Sequence, residues 1–165
     1  MMVPALSLQV TLASEVSNLQ ASSSLPVPIS ISIHNNASSS VTLLTWNSPL
    51  DFQAGVLGVF EVCDIENGKA LPIDTIKVSR KLPATSADLV EIPAGQAIDR
   101  TVKLPSFECE EGHEYSIQAL GIWHAVWEMP LTEVTESHLA DLTGATRGEF
   151  KSNFAHVKVN RTGNS

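Results

Sequence analysis

Residues 113–117, H-E-Y-S-I, match part of a known metal-binding motif. The zinc-binding pattern H-E-x-x-H needs two histidines on one helix face to bind the metal and a glutamate as base. Here His113 and Glu114 are followed by Ile117 at the position of the second histidine. The segment also alternates as a strand does, and strand positions four apart are separated by roughly 13 Å. The sequence therefore predicts no metal site and no cofactor.

Other catalytic patterns are incomplete. Asp141-Leu142-Thr143-Gly144 differs from the D-T-G of aspartic proteases by the inserted leucine, and the sequence contains no G-x-S-x-G elbow. The five histidines are scattered along the chain. They are His34, His113, His124, His138 and His156. We therefore predict no catalytic residue. An atypical biosynthetic enzyme with His124 and Glu128 as acid and base stays an alternative, and it would need a deep polar pocket beside them.

Residues 123–127 predict a binding edge of a different kind. In an extended segment Trp123 and Trp127 lie on one face with His124 between them, as an exposed aromatic edge would require. This arrangement predicts a site for a small molecule or a glycan. The alternative is that both tryptophans belong to the core or to its rim.

The predicted fold is organised around a pair of apolar strands within residues 40–62. The first, 41–46, and the second, 57–62, are apolar or β-branched on most positions of both faces. Asn47-Ser48-Pro49 supplies turn chemistry between them. Because such strands expose apolar side chains on both faces, other strands must cover them on each side.

Further strands are predicted along most of the chain. Alternating or β-rich segments occur at 6–13, 27–34, 71–76, 78–82, 89–92, 97–104, 115–122 and 154–159. Asn67-Gly68 signals a hairpin. Residues 132–143 predict either one short helix, with Thr132 as its cap and Gly144 at its end, or a long polar loop. The fold prediction is an all-β, immunoglobulin-like antiparallel β-sandwich of about eight to nine strands. Residues 1–160 form one domain and 161–165 a polar tail.

Composition excludes several function classes. The 165 residues are 43% hydrophobic and 17% charged, with a formal charge of −8 and a pI near 5.0. An acidic chain without a Lys/Arg cluster repels phosphate backbones, so we predict no nucleic-acid partner. No apolar run is long enough for a transmembrane helix, and we predict no membrane association. The composition does not determine the oligomeric state.

The N-terminus, the cysteines and the glycosylation sequons indicate whether the protein is cytoplasmic or secreted. No Lys or Arg precedes the apolar residues of the N-terminal segment, which alternate as a strand does, so we expect no signal peptide and a cytoplasmic protein. Cys63 and Cys109 permit one disulfide, and two free thiols are the alternative. Asn36-Ala37-Ser38 and Asn160-Arg161-Thr162 fit the glycosylation sequon, which matters only outside the cytoplasm.

Five segments together resemble a known family. They read S-V-T-L-L-T-W-N-S-P-L-D (40–51), G-V-F-E-V (58–62), I-K-V-S-R-K-L (76–82), E-I-P-A-G-Q-A-I-D-R-T-V-K-L (91–104) and G-H-E-Y-S-I-Q-A-L-G (112–121). In order and spacing they resemble the pro-region of fungal deuterolysin-type and related peptidyl-lysine zinc metalloendopeptidases, over roughly residues 5–159. The catalytic H-E-x-x-H of those precursors does not occur in this sequence, and we expect no signal peptide like theirs.

The resemblance implies a non-catalytic protein-binding module. Its partner would be a zinc metalloprotease, which it would inhibit or help to fold, and the family is secreted. The candidate contacts are the loop after the first central strand together with one basic residue, namely Asn47, Pro49, Leu50, Asp51 and Arg80. The alternative is that Asn47 and Pro49 only shape a turn and that Arg80 only pairs with an acidic residue on a neighbouring strand.

Overall fold

The computed structural model describes residues 7–15, 18–20, 26–73, 75–105, 107 and 109–160. Within these residues the chain forms eleven strands and one α-helix. The strands are β1 (Leu8–Ser14), β2 (Asn18–Gln20), β3 (Val27–Asn35), β4 (Val41–Leu44), β5 (Phe60–Asp64), β6 (Lys69–Leu71), β7 (Leu89–Ile92), β8 (Ala97–Leu104), β9 (Glu114–Trp127), β10 (Thr146–Lys151) and β11 (Ala155–Asn160). The helix α1 is Glu136–Asp141. The predicted tail, 161–165, and the start of the first predicted strand lie outside the described residues.

The strands form two sheets, which confirms the predicted all-β sandwich. One sheet is antiparallel, in the order β1-β3-β8. Every second residue of β3, from Val27 to Asn35, is buried and faces the other sheet, as its sequence alternation predicts. The second sheet has the order β2-β11-β9-β4-β7, with β10 and β5 also paired to β9 and β6 paired to β5. Because β9 is 14 residues long, its first half pairs with β5 and β11 and its second half with β4 and β10.

The core divides into a large cluster and a small one. The large cluster joins buried residues of both sheets, including Ile29, Leu43 and Ile117. In the small cluster the buried side chains of Leu44, Ala84, Leu89, Ala125 and Trp127 are covered by half-buried neighbours that include Leu139 and Leu142. Of the two alternatives predicted for residues 132–143, the short helix is the one present. Its residue Leu139 packs against the small cluster. The helix begins after Thr135 rather than at Thr132.

A β-bulge in β9 determines where two tryptophans lie. Thr146 pairs with Val126 but Gly148 pairs with Trp123, so β9 has one more residue than β10 in this interval. An inserted residue shifts the alternation, and Trp123 and Trp127 therefore face opposite sides of the sheet. Trp123 packs in the large cluster and Trp127 in the small one, with 0% and 1% of their surfaces exposed. The prediction of an exposed edge formed by these two residues is wrong.

Several local predictions are also corrected or confirmed. The predicted strand at 71–76 reduces to Leu71, the end of β6, and 78–82 is irregular and mostly exposed. Strands β2 and β10 were not predicted, and β2 pairs with β11 in parallel rather than antiparallel fashion. The Asn67-Gly68 hairpin is confirmed between β5 and β6, with Gly68 at φ 71°. No helix among the described residues has the length and hydropathy needed to cross a membrane.

Candidate functional site

The loop of residues 47–57, here called the Asp51 loop, is organised around one buried carboxylate. The side chain of Asp51 is 1% exposed. It accepts hydrogen bonds from the backbone N–H of Asn47 at 2.9 Å and of Gln53 at 3.0 Å. The guanidinium of Arg80 donates to the same carboxylate at 2.9 Å. Since a buried carboxylate requires such partners, its contacts fix the loop conformation and tie it to residue 80.

The Asp51 loop also packs against the edge of the three-stranded sheet. A Cβ on Gly55 would lie 2.3 Å from the backbone oxygen of Lys103, so only glycine permits this approach to β8. Between the loop and β8 lies an open cleft of about 480 Å³, whose lining includes Phe52, Arg100 and Lys103. Phe52 is 91% exposed. The loop therefore presents an aromatic side chain from a backbone that is held on two sides.

The predicted contact residues are brought together by this loop. Asn47 is exposed, Leu50 is half-buried, and Pro49 and Asp51 are buried. The structure also contains part of the predicted alternative: Asn47 lies in a turn with positive φ, and Arg80 pairs with an acid. That acid is Asp51, which lies in the loop and not on a neighbouring strand. The sequence analysis did not single out Phe52. The signal was an aromatic residue placed in a loop, outside any alternating pattern that would bury it.

A second concave region, here called the His124 cleft, consists of two adjoining cavities. One is about 360 Å³ and is lined by Trp46, Asn47, Val78, Arg80, Leu82, His124 and Leu142. The other is about 300 Å³ and is lined by His124, Asp141, Leu142, Ala145 and Arg147. Burial lowers the pKa of His124, and the charges of Arg147 and Arg80 lower it further. The imidazole is therefore neutral at pH 7, able both to donate and to accept a hydrogen bond.

Of the predicted ligand edge, only His124 lines this cleft. Trp127 donates its indole N–H to the carbonyl oxygen of Thr143 at 2.9 Å, and the indole N–H of Trp123 has no hydrogen-bond partner among the described residues. The tryptophan that faces the cleft is Trp46. Glu128 accepts a hydrogen bond from the Ser39 hydroxyl at 3.0 Å and lines neither cavity. Neither cavity of the His124 cleft is therefore shared by His124 and Glu128.

A third polar group surrounds His113. Its Nδ1 lies 2.9 Å from Oδ2 of Asp64 and its Nε2 lies 3.2 Å from Oε2 of Glu110. The hydrogen bond to Asp64 raises the pKa of His113, against a smaller opposing effect of burial. Burial acts to raise the pKa of Asp64, but the bonds from His113 and from the Glu66 backbone outweigh it, and the pKa is lowered.

The His113 group can bind a proton between two carboxylates. The ligand atoms of Asp64, Glu110 and His113 lie within 4.8 Å of one another, which is also close enough for a metal ion. A metal would have to displace the proton from His113, and the absence of a metal site stays a prediction.

Cys63 and Cys109 are free thiols in this structure, and burial raises the pKa of each.

Two comparisons with known proteins agree with this fold. Residues 14–159 match a family model described as an immunoglobulin-like domain. Over 138 residues the chain is 41% identical to a protein of Arthroderma benhamiae that carries the name "Uncharacterized secreted protein". The match covers 81% of this chain and 70% of that protein. Neither description names a metalloprotease pro-region, so that resemblance stays a prediction.

Proposed function

Because the chain belongs to the immunoglobulin-like domain family, we propose that it is a non-catalytic protein-binding module whose contact surface is the Asp51 loop. The observation that carries this proposal is the 91% exposure of Phe52 on a loop that buried contacts hold in place. Aromatic residues, phenylalanine included, are enriched in protein–protein interfaces relative to the rest of the surface.

The energetics of binding favour such an anchor. Burying one phenylalanine side chain contributes about 1.5–3 kcal/mol. Residues that dominate interfaces are anchors of this kind, inserted in a pocket of the partner. Because Asp51, Gln53 and Gly55 already fix the backbone, little conformational entropy is lost when Phe52 is bound.

The charges around Phe52 indicate the chemistry of the partner surface. The cleft beside Phe52 is lined by Arg100 and Lys103, whereas the chain as a whole carries a formal charge of −8. Charges of opposite sign across an interface steer association and select partners. The partner surface that fits best has an apolar pocket with acidic side chains at its rim.

We place this module outside the cell, in place of the cytoplasmic location expected from the N-terminus. The relative in Arthroderma benhamiae is called secreted in its name. Asn36 of the first sequon is exposed in the turn after β3, where a glycan would find space. Both observations support an extracellular module, and the family resemblance noted in the sequence has the same implication.

The zinc metalloprotease suggested by that resemblance is the first partner to test. A purified deuterolysin-type protease would be titrated with the wild-type chain, Phe52→Ser and Phe154→Ser. Phe154 is a second exposed phenylalanine, with 52% exposure, and serves as the matched control. We expect inhibition by the wild type and by Phe154→Ser, and inhibition weaker by about tenfold or more for Phe52→Ser. No inhibition by any variant removes the metalloprotease as partner.

The wider proposal of protein binding has a separate test. A photo-crosslinking amino acid would replace Phe52 in one variant and Phe154 in another, and each would be irradiated with the secreted proteins of the producing organism. A discrete adduct from position 52 and none from position 154 would support the proposal. Equal adducts from both positions, or none from position 52, would contradict it.

A further inference from the structure

The His124 cleft has two chemically different ends. Its larger cavity has an apolar wall formed by Trp46, Val78 and Leu82, and its smaller cavity has polar walls that include Asp141 and Arg147. His124 and Leu142 line both cavities, so the two volumes adjoin. With volumes of about 360 and 300 Å³, the cleft has the dimensions of a small-molecule site.

The polar end has a cation that is available to a ligand. Arg147 is exposed and takes part in none of the ion pairs formed among the described residues. Arg80, at the apolar end, is already paired with Asp51. The carboxylate of Asp141 accepts hydrogen bonds from the backbone N–H and the hydroxyl of Thr143. The net charge of −8 and the carboxylate of Asp141 in the same cavity oppose an anion. The unpaired guanidinium of Arg147 beside a neutral histidine is nevertheless the group whose fork geometry matches a carboxylate.

The aromatic residue of the apolar wall, Trp46, has charged neighbours on two sides. The guanidinium carbon of Arg80 lies 5.8 Å from the centroid of the Trp46 ring, at cation–π distance. On another side, the Trp46 side chain lies close enough to Asp88 to help lower the pKa of that carboxyl. A preformed aromatic wall loses little entropy when an apolar group packs against it.

Backbone strain is concentrated at the same cleft. Among the described residues, the non-glycine residues with positive φ are Asn47 at 56° and Leu142 at 62°, and both line the apolar cavity. Asparagine tolerates this conformation. Leu142 adopts it as the residue that ends α1, a position that glycine usually occupies because the Cβ of other residues is strained there. Such strain occurs preferentially at ligand sites, where the surrounding structure maintains it.

From these observations we propose that the His124 cleft binds a small amphipathic carboxylate. The apolar body of the ligand packs against Trp46 and Leu82, and its carboxylate pairs with Arg147 and accepts a hydrogen bond from His124. This site is separate from the protein-binding surface at Phe52, and its ligand is a small molecule rather than a protein. An anion near His124 stabilises the imidazolium, so binding also raises the pKa of His124.

Calorimetric titration with three probes tests the proposal. Phenylacetate carries both the apolar ring and the charge, phenylacetamide has the ring without the charge, and acetate has the charge without the ring. We expect phenylacetate to bind about tenfold or more tightly than either control compound. Equal binding of phenylacetamide, or no binding of phenylacetate at millimolar concentration, would overturn the proposal.

Two variants and a second readout locate the site. Arg147→Gln should reduce phenylacetate binding to the level of phenylacetamide, whereas Lys151→Gln, which removes an exposed charge from the same strand, should leave it unchanged. Thermal unfolding would establish that both variants are folded. In the wild type, the NMR titration of His124 should move to higher pH with phenylacetate and stay in place with phenylacetamide. Unchanged affinity in Arg147→Gln, or an unmoved His124 titration, would also overturn the proposal.

Discussion

Two buried aspartates organise two loops of this molecule in nearly the same way, but with different cations. The side chains of Asp51 and Asp64 are 1% and 3% exposed. Each accepts a backbone N–H from two residues further on, Gln53 at 3.0 Å and Glu66 at 2.9 Å. Each is 2.9 Å from a cation, which is Arg80 in the first case and His113 in the second.

The difference lies in whether the cation can lose its proton. A guanidinium stays charged at every pH at which proteins are folded, whereas histidine titrates near neutrality. The Asp51 loop, which carries Phe52, is therefore held by a cation that does not titrate. The turn at Asp64 loses the charge of its cation when His113 is deprotonated, while the backbone N–H of Glu66 still donates to Asp64. The choice of cation thus determines which of the two loops responds to pH.

The largest expected effect comes from removing the carboxylate of the first pair. Asp51→Ala leaves Arg80 without its partner and two backbone N–H groups of the loop without an acceptor. Breaking a buried pair in this way lowers the free energy of unfolding by about 3–5 kcal/mol. Urea denaturation measures the loss, with Asp99→Ala on the exposed side of β8 as a control near zero. A loss below about 1 kcal/mol would mean that other contacts hold the loop.

A smaller effect is expected when the loop is separated from β8 while the Asp51–Arg80 pair is kept. Gly55→Ala places a methyl group 2.3 Å from the Lys103 oxygen, so the loop must move away from the strand. We expect a destabilisation of about 1–3 kcal/mol, together with faster amide exchange in the Asp51 loop. Gly58→Ala is the contrasting variant, because a Cβ there contacts nothing within 4 Å and only the φ of 79° is strained. Equal exchange rates in both variants would contradict the role of the β8 contact.

The smallest effect is the pH dependence of the second pair, because His113 remains 27% exposed and solvent screens its charge. The pKa of His113 is raised in the folded chain, so its contribution is complete below the ordinary value of about 6.5 and is lost as the pH rises through the raised value. The pKa of Asp64 is lowered, so its contribution is present above about 3.9 and is lost as the pH falls through the lowered value.

The pair therefore contributes most between about pH 4 and pH 6.5. Urea midpoints measured from about pH 5 to pH 9 should fall on the alkaline side in the wild type and fall less in His113→Gln. His156→Gln is the matched control, since His156 pairs with Glu114 at 3.2 Å on the surface, and it should retain the alkaline decline. Parallel pH profiles for the wild type and His113→Gln would rule out this assignment.

The success of sequence analysis differs between the strands and the site. The alternation within Val27–Asn35 predicts which face of the strand packs in the core, because every second side chain of a strand points to the same side. The Asn67-Gly68 turn is predicted because Gly68 adopts a positive φ without strain. The proposed contact surface was anticipated only in part, since Asn47, Pro49, Leu50 and Asp51 were chosen but Phe52 beside them was not.

What the sequence alone determined is the local part of this protein, namely the two-residue period of the strands and the turn chemistry. These depend on neighbours within a few positions of each other. For residues 132–143 the sequence left a short helix and a long polar loop as alternatives. The tertiary structure decided the rest. The bulge in β9 separates Trp123 from Trp127, and the ion pairs join residues 29 positions apart at Asp51–Arg80 and 49 apart at Asp64–His113. Such pairings depend on how the sheets pack, which no local pattern encodes.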